Sequence, residues 1–403
     1  MEIRSITFFC NPAYPVNKLL LQKAGIFTRH AKVAFEQAGY PVQTVRLATP
    51  PFPTYLSLDN FVVGAQTLML EAHGEGFDYV SIGPAQPDNL NSYKAIPEIL
   101  ASTKDLFVSA LITTPGGELS LPAVRACAGI IKAASSITQD GFTNLRFAAL
   151  ANVPPFAPFF PAAYGQGWEP AFALALEAAD LAIQAFSQSN TLAEARQALI
   201  ASVEAHARRL EAVAHQLSQI YSYAFKGLDF TLSPYPAPDR SIGTALEKLG
   251  LPAFGLHGSL TASAFITDTL DRARYLRTGF NGLMLPVLED ATLAQRAAEA
   301  RFNLSDLLLC SSVCGTGLDV IPLPGDVSAD QLYPVLLDLG ALALRLNKPL
   351  TARLMPLPGK VAGDPTNFDF SYFASSRVMP INSSPLTGLL AGSDDLPITS
   401  RNR

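Results

Sequence analysis

The chain has 403 residues, 49% of them hydrophobic and 16% charged, with a formal net charge of −5 at pH 7. That balance supports a large buried core and excludes a disordered chain, while the lack of any Lys/Arg cluster removes the electrostatic footprint of nucleic-acid binding. Four cysteines do not make a disulfide framework at this length, and Cys10 and Cys127, inside apolar stretches, read as buried reduced thiols.

The opening MEIRSITFFCNPAYP alternates like a first strand and lacks a basic leader region, so it reads as part of the fold and not as a secretory signal. The longest apolar runs, such as LPAVRACAGIIKAA, meet Arg125 and Lys132 before reaching the about 20 residues of a membrane span. A cytoplasmic chain with no membrane partner is expected. KLLLQKAGIFTRHAKVAFEQAGY (18–40) carries apolar residues about 3.6 apart until Gly39, which predicts a helix. PVQTVRLA returns as a strand, and the unit repeats. LDNFVVGAQTLMLEAHGEG, AIPEILAST and LPAVRACAGIIKAASSI read as helices, alternating with strands FDYVSIGPA, DLFVSALITT and NLRFAALANV. This rhythm predicts parallel α/β architecture, with functional groups on loops at the carboxyl ends of strands.

Beyond NVPPFAPFFPAAYGQGWEP the pattern changes, and residues 170–221 read as two long helices. The second is opened by Thr191 with Glu194 three positions on, a capping box. His206 and His215, nine residues apart within it, read as solvated or packed helical histidines. From residue 225 strands and helices alternate again: FKGLDFTLSPYP, helix SIGTALEKLG, FGLHGSLT, helix ASAFITDTLDRARYL, strand GLMLPVL, helix ATLAQRAAEARF and strand LLLCSSV. Helix YPVLLDLGALALRLNK, strand TARLMPLP and an aperiodic tail follow. The reading is one α/β domain over 1–403, with a first half of about 1–169, a helical segment of about 170–222, a second half of about 223–385 and a tail at 386–403. Two halves of about five strand-helix units each fit a single large sheet or barrel.

Candidate chemistry lies on loops that follow strands. DFTLSPYPAPDRSIG (229–243) carries Asp229 and Ser233 and enters a helix at Ser241, where hydroxyl and backbone N–H groups suit an anion; ordinary helix capping is the other reading. FGLHGSLTASAF (254–265) places His257 ahead of Gly258 and Ser259 at a helix start, as acid, base, ligand or structural histidine. In CSSVCGTGLDVIPLPGD (310–326), Cys314 is followed by Gly315, Gly317 and Asp319. The glycines permit close approach to a ligand, and a histidine or helix N-terminus nearby activates a thiol; the alternative is a packed thiol in a tight loop. With LLLC extended, Cys310 and Cys314 lie about 13 Å apart, too far for a disulfide. The loops at 81–89 and 112–120 are candidates for the floor of the same cavity, with Asn152, Tyr164 and Asn281 as wall or ligand contacts.

No GxxxxGK[ST] run and no strand-to-helix GxGxxG is present, so no nucleotide cofactor is indicated. Asp229, His257 and Asp319 are hard or borderline metal ligands at strand ends, though without a spacing signature. The cofactor is unassigned.

The segments LSPYPAPDRSIGTALEKLGL, GLHGSLTASAFITDTL, FNGLMLPVLED and CGTGLDVIPLPGD, together with EIRSIT and NVPPFAPFFPAAY, resemble the family called domain of unknown function 711, or uncharacterised protein family 0210, over nearly the whole chain. The resemblance implies a ten-stranded α/β barrel of two antiparallel five-stranded parallel halves, similar to glycyl radical enzymes such as pyruvate formate-lyase, where a cysteine on an interior loop relays a radical. It makes Cys314 the counterpart of that thiol. The glycyl donor motif is lost, because Arg377-Val378-Met379 is followed by Pro380 and Ile381, so glycyl-radical catalysis is rejected. After PAAY, relatives often carry a histidine where this chain reads Gly165-Gln166-Gly167, which removes an acid-base role from that segment.

The expectation is therefore an enzyme acting on a small polar, anionic metabolite inside the barrel. His257 serves as acid-base group, Cys314 as nucleophile or proton donor, Asp229 and Asp319 as orienting carboxylates, and Ser241, Gly258 and Ser259 as anion contacts. A metabolite-binding or regulatory protein without turnover is the alternative. The apolar composition favours self-association as a homodimer.

Overall fold

A computed structural model describes residues 1–401. The first half runs β1 (Glu2–Phe9), α1 (Lys18–Gln37), β2 (Val42–Ala48), α2 (Phe61–Gly74), β3 (Tyr79–Ala85), α3 (Leu90–Ser102), β4 (Leu106–Leu111), β5 (Glu118–Ser120), α4 (Leu121–Ser135) and β6 (Phe147–Ala151). Helix α1 shows why these segments fold as they do. Asn17 caps its start by accepting the Leu20 N–H at 3.1 Å, and Leu21, Ala24, Phe27, Ala31 and Phe35 form the buried stripe. Phe27 packs on Phe8 of β1 with ring centroids 5.5 Å apart, and burying such a ring contributes about 1.5–3 kcal/mol.

β1, β2, β3, β4 and β6 pair in that order, every pair parallel. Since βαβ crossovers are right-handed, sequential addition of this kind sends every connecting helix to one face and leaves the other for a different cover. The inner face is accordingly mixed, with Thr7, Ser81 and Arg46 beside the rings of Phe9, Tyr79 and Phe107. In β2, Val45 and Leu47 join the main hydrophobic core, while Thr44 and Arg46 face inward to a cavity.

The second half runs β7 (Ala171–Glu177), α5 (Ala179–Ser187), α6 (Leu192–Tyr221), β8 (Ala224–Ser233), α7 (Ile242–Lys248), α8 (Ser259–Arg272), α9 (Ala291–Ala298), α10 (Leu304–Ser311), β9 (Gly317–Pro324), α11 (Ala329–Leu346), β10 (Leu350–Leu357) and β11 (Asp395–Pro397). β7 joins β1 antiparallel and β10 joins β6 antiparallel, while β8 lies parallel to β7 and β9 parallel to β10. The result is a nine-stranded sheet in the order β8-β7-β1-β2-β3-β4-β6-β10-β9, with β5 and β11 paired separately. Both edges of the large sheet bond to the irregular stretch 276–287. Thr278 N–H donates to Leu228 of β8 at 3.1 Å, and Val287 N–H donates to Asp319 of β9 at 3.2 Å.

The loop after β6 fills the inner face. Thr7 donates its hydroxyl to the Pro158 carbonyl at 2.9 Å, and Ser81 to that of Ala163 at 2.8 Å. From the other side Thr278 donates to the Phe156 carbonyl at 2.9 Å. Inward hydroxyls thus satisfy a backbone that carries few hydrogen bonds of its own. No helix among the described residues is long and apolar enough to cross a membrane.

Several segments differ from the sequence expectation. AFALALE is strand β7, not the start of a long helix; its Ala171, Ala173 and Ala175 sit under the internal loop, where only small side chains fit. LLLCSSV is helix α10, opened by a capping box in which Asn303 and Asp306 bond each other's backbone. FGLHGSLT is a turn in the outer helical layer with no strand in it, and GLMLPVL has only an isolated bridge, Pro286 with Asp319. GLDVIPLP, which the periodicity left unassigned, is β9. The tail at 386–403 carries β11, and its last two residues lie outside the described ones.

Candidate functional site

Between the inner faces of β1, β2, β9 and β10 and the internal loop lies a cavity of about 540 Å3. A chain of alternating charges crosses its wall. Arg353 Nε donates to Asp319 Oδ1 at 2.6 Å, and its Nη2 donates to Glu289 Oε1 at 2.9 Å. Arg4 links the other oxygen of Glu289, at 2.6 Å, to Glu177 at 3.3 Å, and Arg240 reaches Glu177 at 3.1 Å. Burial pushes the carboxyls of Asp319 and Glu177 above the usual carboxylate range, against the pull of Arg353 and Arg4 respectively. Ions so far from water are tolerable because each has an opposite charge and further hydrogen bonds.

Arg46 breaks the pattern. It is half-buried and lines the same cavity, yet no carboxylate lies within ion-pair distance of it among the described residues. Its Nε donates to Thr44 Oγ1 at 2.8 Å, and its guanidinium lies 5.1 Å from the ring of Phe160 and 5.6 Å from that of Tyr79. Burial, and next the neighbouring Arg4 charge, push its pKa down to about 10. It remains protonated at neutral pH. A guanidinium held beside rings, with Glu289 acting on it only from beyond ion-pair distance, is a ready receptor for an anion.

A second cavity, of about 620 Å3, opens at the carboxyl ends of the first-half strands. Asn11, Gln86, Thr113, Asn152 and Tyr164 line it, with Trp168 among the loop residues there. Among the described residues no acidic or basic side chain lines it, and Gly165, Gln166 and Gly167 form part of its wall.

The structure does not bring the expected quartet together. Asp319 lines the central cavity. Asp229 is fully buried on β8 and lines neither cavity; it accepts the N–H groups of Phe280 at 2.8 Å and Asn281 at 2.9 Å and the Thr231 hydroxyl. Burial raises its pKa to about 6. Cys314 is buried just past α10, where it also lines neither cavity, and its carbonyl accepts the Lys348 ammonium. His257 is exposed ahead of α8, and no hydrogen bond joins it to the other three among the described residues. Nor do Asp229, His257 and Asp319 converge as metal ligands: no group of three or more His, Cys, Asp or Glu is placed to hold an ion among the described residues.

The supposed ligand contacts are mostly taken up by the fold. Ser241 caps α7, and the anion at that helix start is the protein's own Asp290, which accepts from Ser241 Oγ and from the Ile242 N–H, both at 2.6 Å. Gly258 and Ser259 open α8, with the Ser259 hydroxyl donated to the Leu256 carbonyl at 2.7 Å. Gly315 lets the backbone meet Gly282, since a Cβ there would fall 2.6 Å from the Gly282 Cα, and a Cβ on Gly317 would fall 2.3 Å from the Thr351 carbonyl. Both glycines therefore serve chain packing. Asn281 accepts from the Phe230 N–H at 3.1 Å and from the Tyr275 hydroxyl at 2.8 Å. Ser233 is buried with its hydroxyl unpartnered. Asn152 and Tyr164 line the second cavity, where the Tyr164 hydroxyl donates to the Val153 carbonyl at 2.7 Å.

Arg4, Arg46, Glu289 and Arg353 escaped the sequence reading, although three of them carry a signal. An arginine inside EIRSITFF, PVQTVRLA or TARLMPLP is anomalous, because strands of a covered parallel sheet run nearly continuously apolar. Such a residue has either a buried partner or a ligand.

The family described as "Uncharacterised ACR (DUF711)" matches residues 1–375. A UPF0210 protein of Pyrobaculum arsenaticum is 33% identical over 281 residues, which is 67% of this chain and 61% of that protein. A UPF0210 protein of Pyrobaculum aerophilum is 34% identical over the same shares. One of Methanosarcina acetivorans is 28% identical over 366 residues, 86% of this chain and 78% of the relative. The chain thus spans about three fifths of the two Pyrobaculum relatives. With a match this long and relatives this similar, the chain belongs to the DUF711 family, the same family as the UPF0210 proteins.

Proposed function

We propose that this chain is an enzyme that takes a small anionic metabolite into the central cavity and acts on it by proton transfer, with Arg46 receiving the anion and Asp319 moving the proton. The observation that carries the reading is the guanidinium of Arg46, free of any ion pair among the described residues, in a ring-lined cavity. Asp319 suits its role on two counts. Burial raises its pKa above the usual carboxylate range, and it lines the cavity while Arg353 holds its Oδ1. Cys314 and His257 do not line that cavity, so thiol and imidazole chemistry are not part of the reading.

The enclosure is part of the same proposal. We infer that the nine strands close into a ten-membered barrel through the stretch 276–287, which bonds to both sheet edges and completes a second set of five beside the first. Glycyl radical enzymes supply the analogy, without their radical chemistry. The low charge and the absence of a basic cluster suit a cytoplasmic homodimer with no nucleic-acid partner.

Thermal unfolding of the intact chain against a panel of carboxylates and phosphates tests the anion site. At least one should raise the midpoint in the wild type and fail to do so in Arg46→Met. No shift with any anion overturns the reading. Binding without turnover is favoured by the tie of Asp319 and Glu289 to one arginine. It is recognised by a ligand that stabilises the chain yet is recovered unchanged after hours, equally with Asp319→Asn.

A further inference from the structure

The surroundings of Arg46 narrow the class of anion, resting on the reading above that this cavity is an anion site. The charges come first. Of the arginines in the wall, Arg353 is committed to Asp319 and Glu289, and Arg4 to Glu289 and Glu177. Arg146 gives its Nη1 and Nη2 groups to the carbonyls of Leu100, Thr103 and Leu106 at the end of α3 and the start of β4. Lys104 stands exposed among the lining residues and contributes attraction across solvent only. Among the lining guanidinium groups, Arg46 alone is left uncommitted among the described residues, with the carboxylates of Glu289 and Asp319 sharing the cavity. A dianion such as a phosphate ester meets repulsion from those two and finds no second guanidinium free of protein partners. A monocarboxylate matches one fork with one charge.

The shape comes next. Phe107 packs edge-on against Tyr79, with centroids 5.3 Å apart, and against Phe160 at 5.4 Å, so these rings and Arg46 form one continuous wall. Phe280 and Tyr372 line the same space. Walls of this kind pair with a flat apolar body through offset or edge contacts, each worth more than the area it buries. A volume of about 540 Å3 falls within the roughly 300–1,000 Å3 usual for small organic ligands.

We propose that the ligand is an aromatic monocarboxylate, its carboxylate on Arg46 and its ring against Tyr79, Phe107 and Phe160. The acid arrives ionised and its ring packs against the aromatic wall. The nearby Asp319 then faces the ligand body and not its carboxylate, which like charge keeps apart.

The test is calorimetric titration of the full chain with benzoate, phenylacetate and 3-phenylpropanoate, and with acetate, succinate and inorganic phosphate as controls. At least one arylcarboxylate should bind ten-fold or more tighter than every control. Arg46→Met should weaken it at least thirty-fold. Phe160→Leu, which keeps the fold filled, should weaken the aryl ligand several-fold while leaving acetate unchanged; far-UV circular dichroism confirms folding of each variant. Succinate or phosphate binding as tightly as the aryl acids, still lost in Arg46→Met, overturns the aromatic assignment and keeps the anion site. Binding of none of the six overturns both.

Discussion

Asp229 and Asn281 clamp one another across the sheet edge: Asp229 Oδ1 accepts the Asn281 N–H at 2.9 Å, and Asn281 Oδ1 accepts the N–H of Phe230, the residue after Asp229, at 3.1 Å. The carboxylate also holds the Phe280 N–H, so it fixes the turn into the irregular stretch that lies between β8 and β9. This is a structural use of the aspartate. Asp229→Ala leaves three donors without their acceptor, two of them buried, each costing about 1–3 kcal/mol, so urea unfolding should show a loss of about 3 kcal/mol or more. A loss below about 1 kcal/mol would show that water replaces the clamp.

The same residue carries a pH signature. Burial raises its pKa to about 6, above its ordinary value, so the folded chain binds this proton more tightly than the unfolded chain. Its contribution is greatest below the ordinary pKa and declines as pH rises through about 6, by up to about 3 kcal/mol. The difference in stability between wild type and Asp229→Asn should therefore change across this range, moving in favour of the variant as pH rises. A flat difference between about pH 4 and 7 overturns the assignment.

The central ion chain makes a different prediction. Arg353→Met strands the Asp319 carboxylate and half of Glu289 in a buried setting, and breaking such a pair costs about 3–5 kcal/mol. Adding Asp319→Asn to that variant should cost less than the same change in the wild type, or restore stability, because the stranded charge is then gone. Strict additivity in a double-mutant cycle would show that the two do not act as a pair.

The four helix-start bonds of Asp290 predict how far α7 depends on its internal anion. Asp290 accepts from Ser241 Oγ and from the N–H groups of Ile242, Gly243 and Leu293, stapling α7 to α9. Ser241→Ala removes one cap and should cost about 1 kcal/mol. Asp290→Ala removes the staple and should cost about 3 kcal/mol or more, and added sulfate or phosphate should recover part of it by filling the vacated anion position. Equal effects of the two substitutions would place the anchor in the serine alone.

Much of the architecture was legible because period and punctuation agree: α1, α4 and α11 follow apolar stripes, and β1, β2 and β10 fall in the expected segments. The failures share a cause. AFALALE and LLLCSSV are short apolar runs that fit a strand or a buried helix equally, and only the packing decides. Asn303 with Asp306 three positions on is a local helix-start pattern that the sequence reading did not take up. The misreading mattered for the site, since putting LLLC on a strand placed Cys314 on a strand-end loop with the other candidate groups. The arginines of the proposed site were visible inside strands, but which arginine keeps a free charge depends on partners hundreds of residues away, as Arg4 with Glu289 shows.

The helical placement of Cys310 changes what the thiols should do. The Cys314 N–H donates to the Cys310 carbonyl at 2.8 Å, one helical turn, and all four cysteines are buried. Burial pushes the Cys10 and Cys310 thiols up to about 12, so neither ionises at neutral pH. Alkylation needs both a thiolate and access, and here the fold withholds access from every thiol and ionisation from these two. Iodoacetamide should therefore label the native chain no faster than it unfolds, with labelling accelerated in step by urea at all four positions. Fast modification of Cys314 alone in the folded chain, resolved by peptide mass analysis, would return the thiol to the chemistry and move the site from the Arg46 cavity toward the turn between α10 and β9.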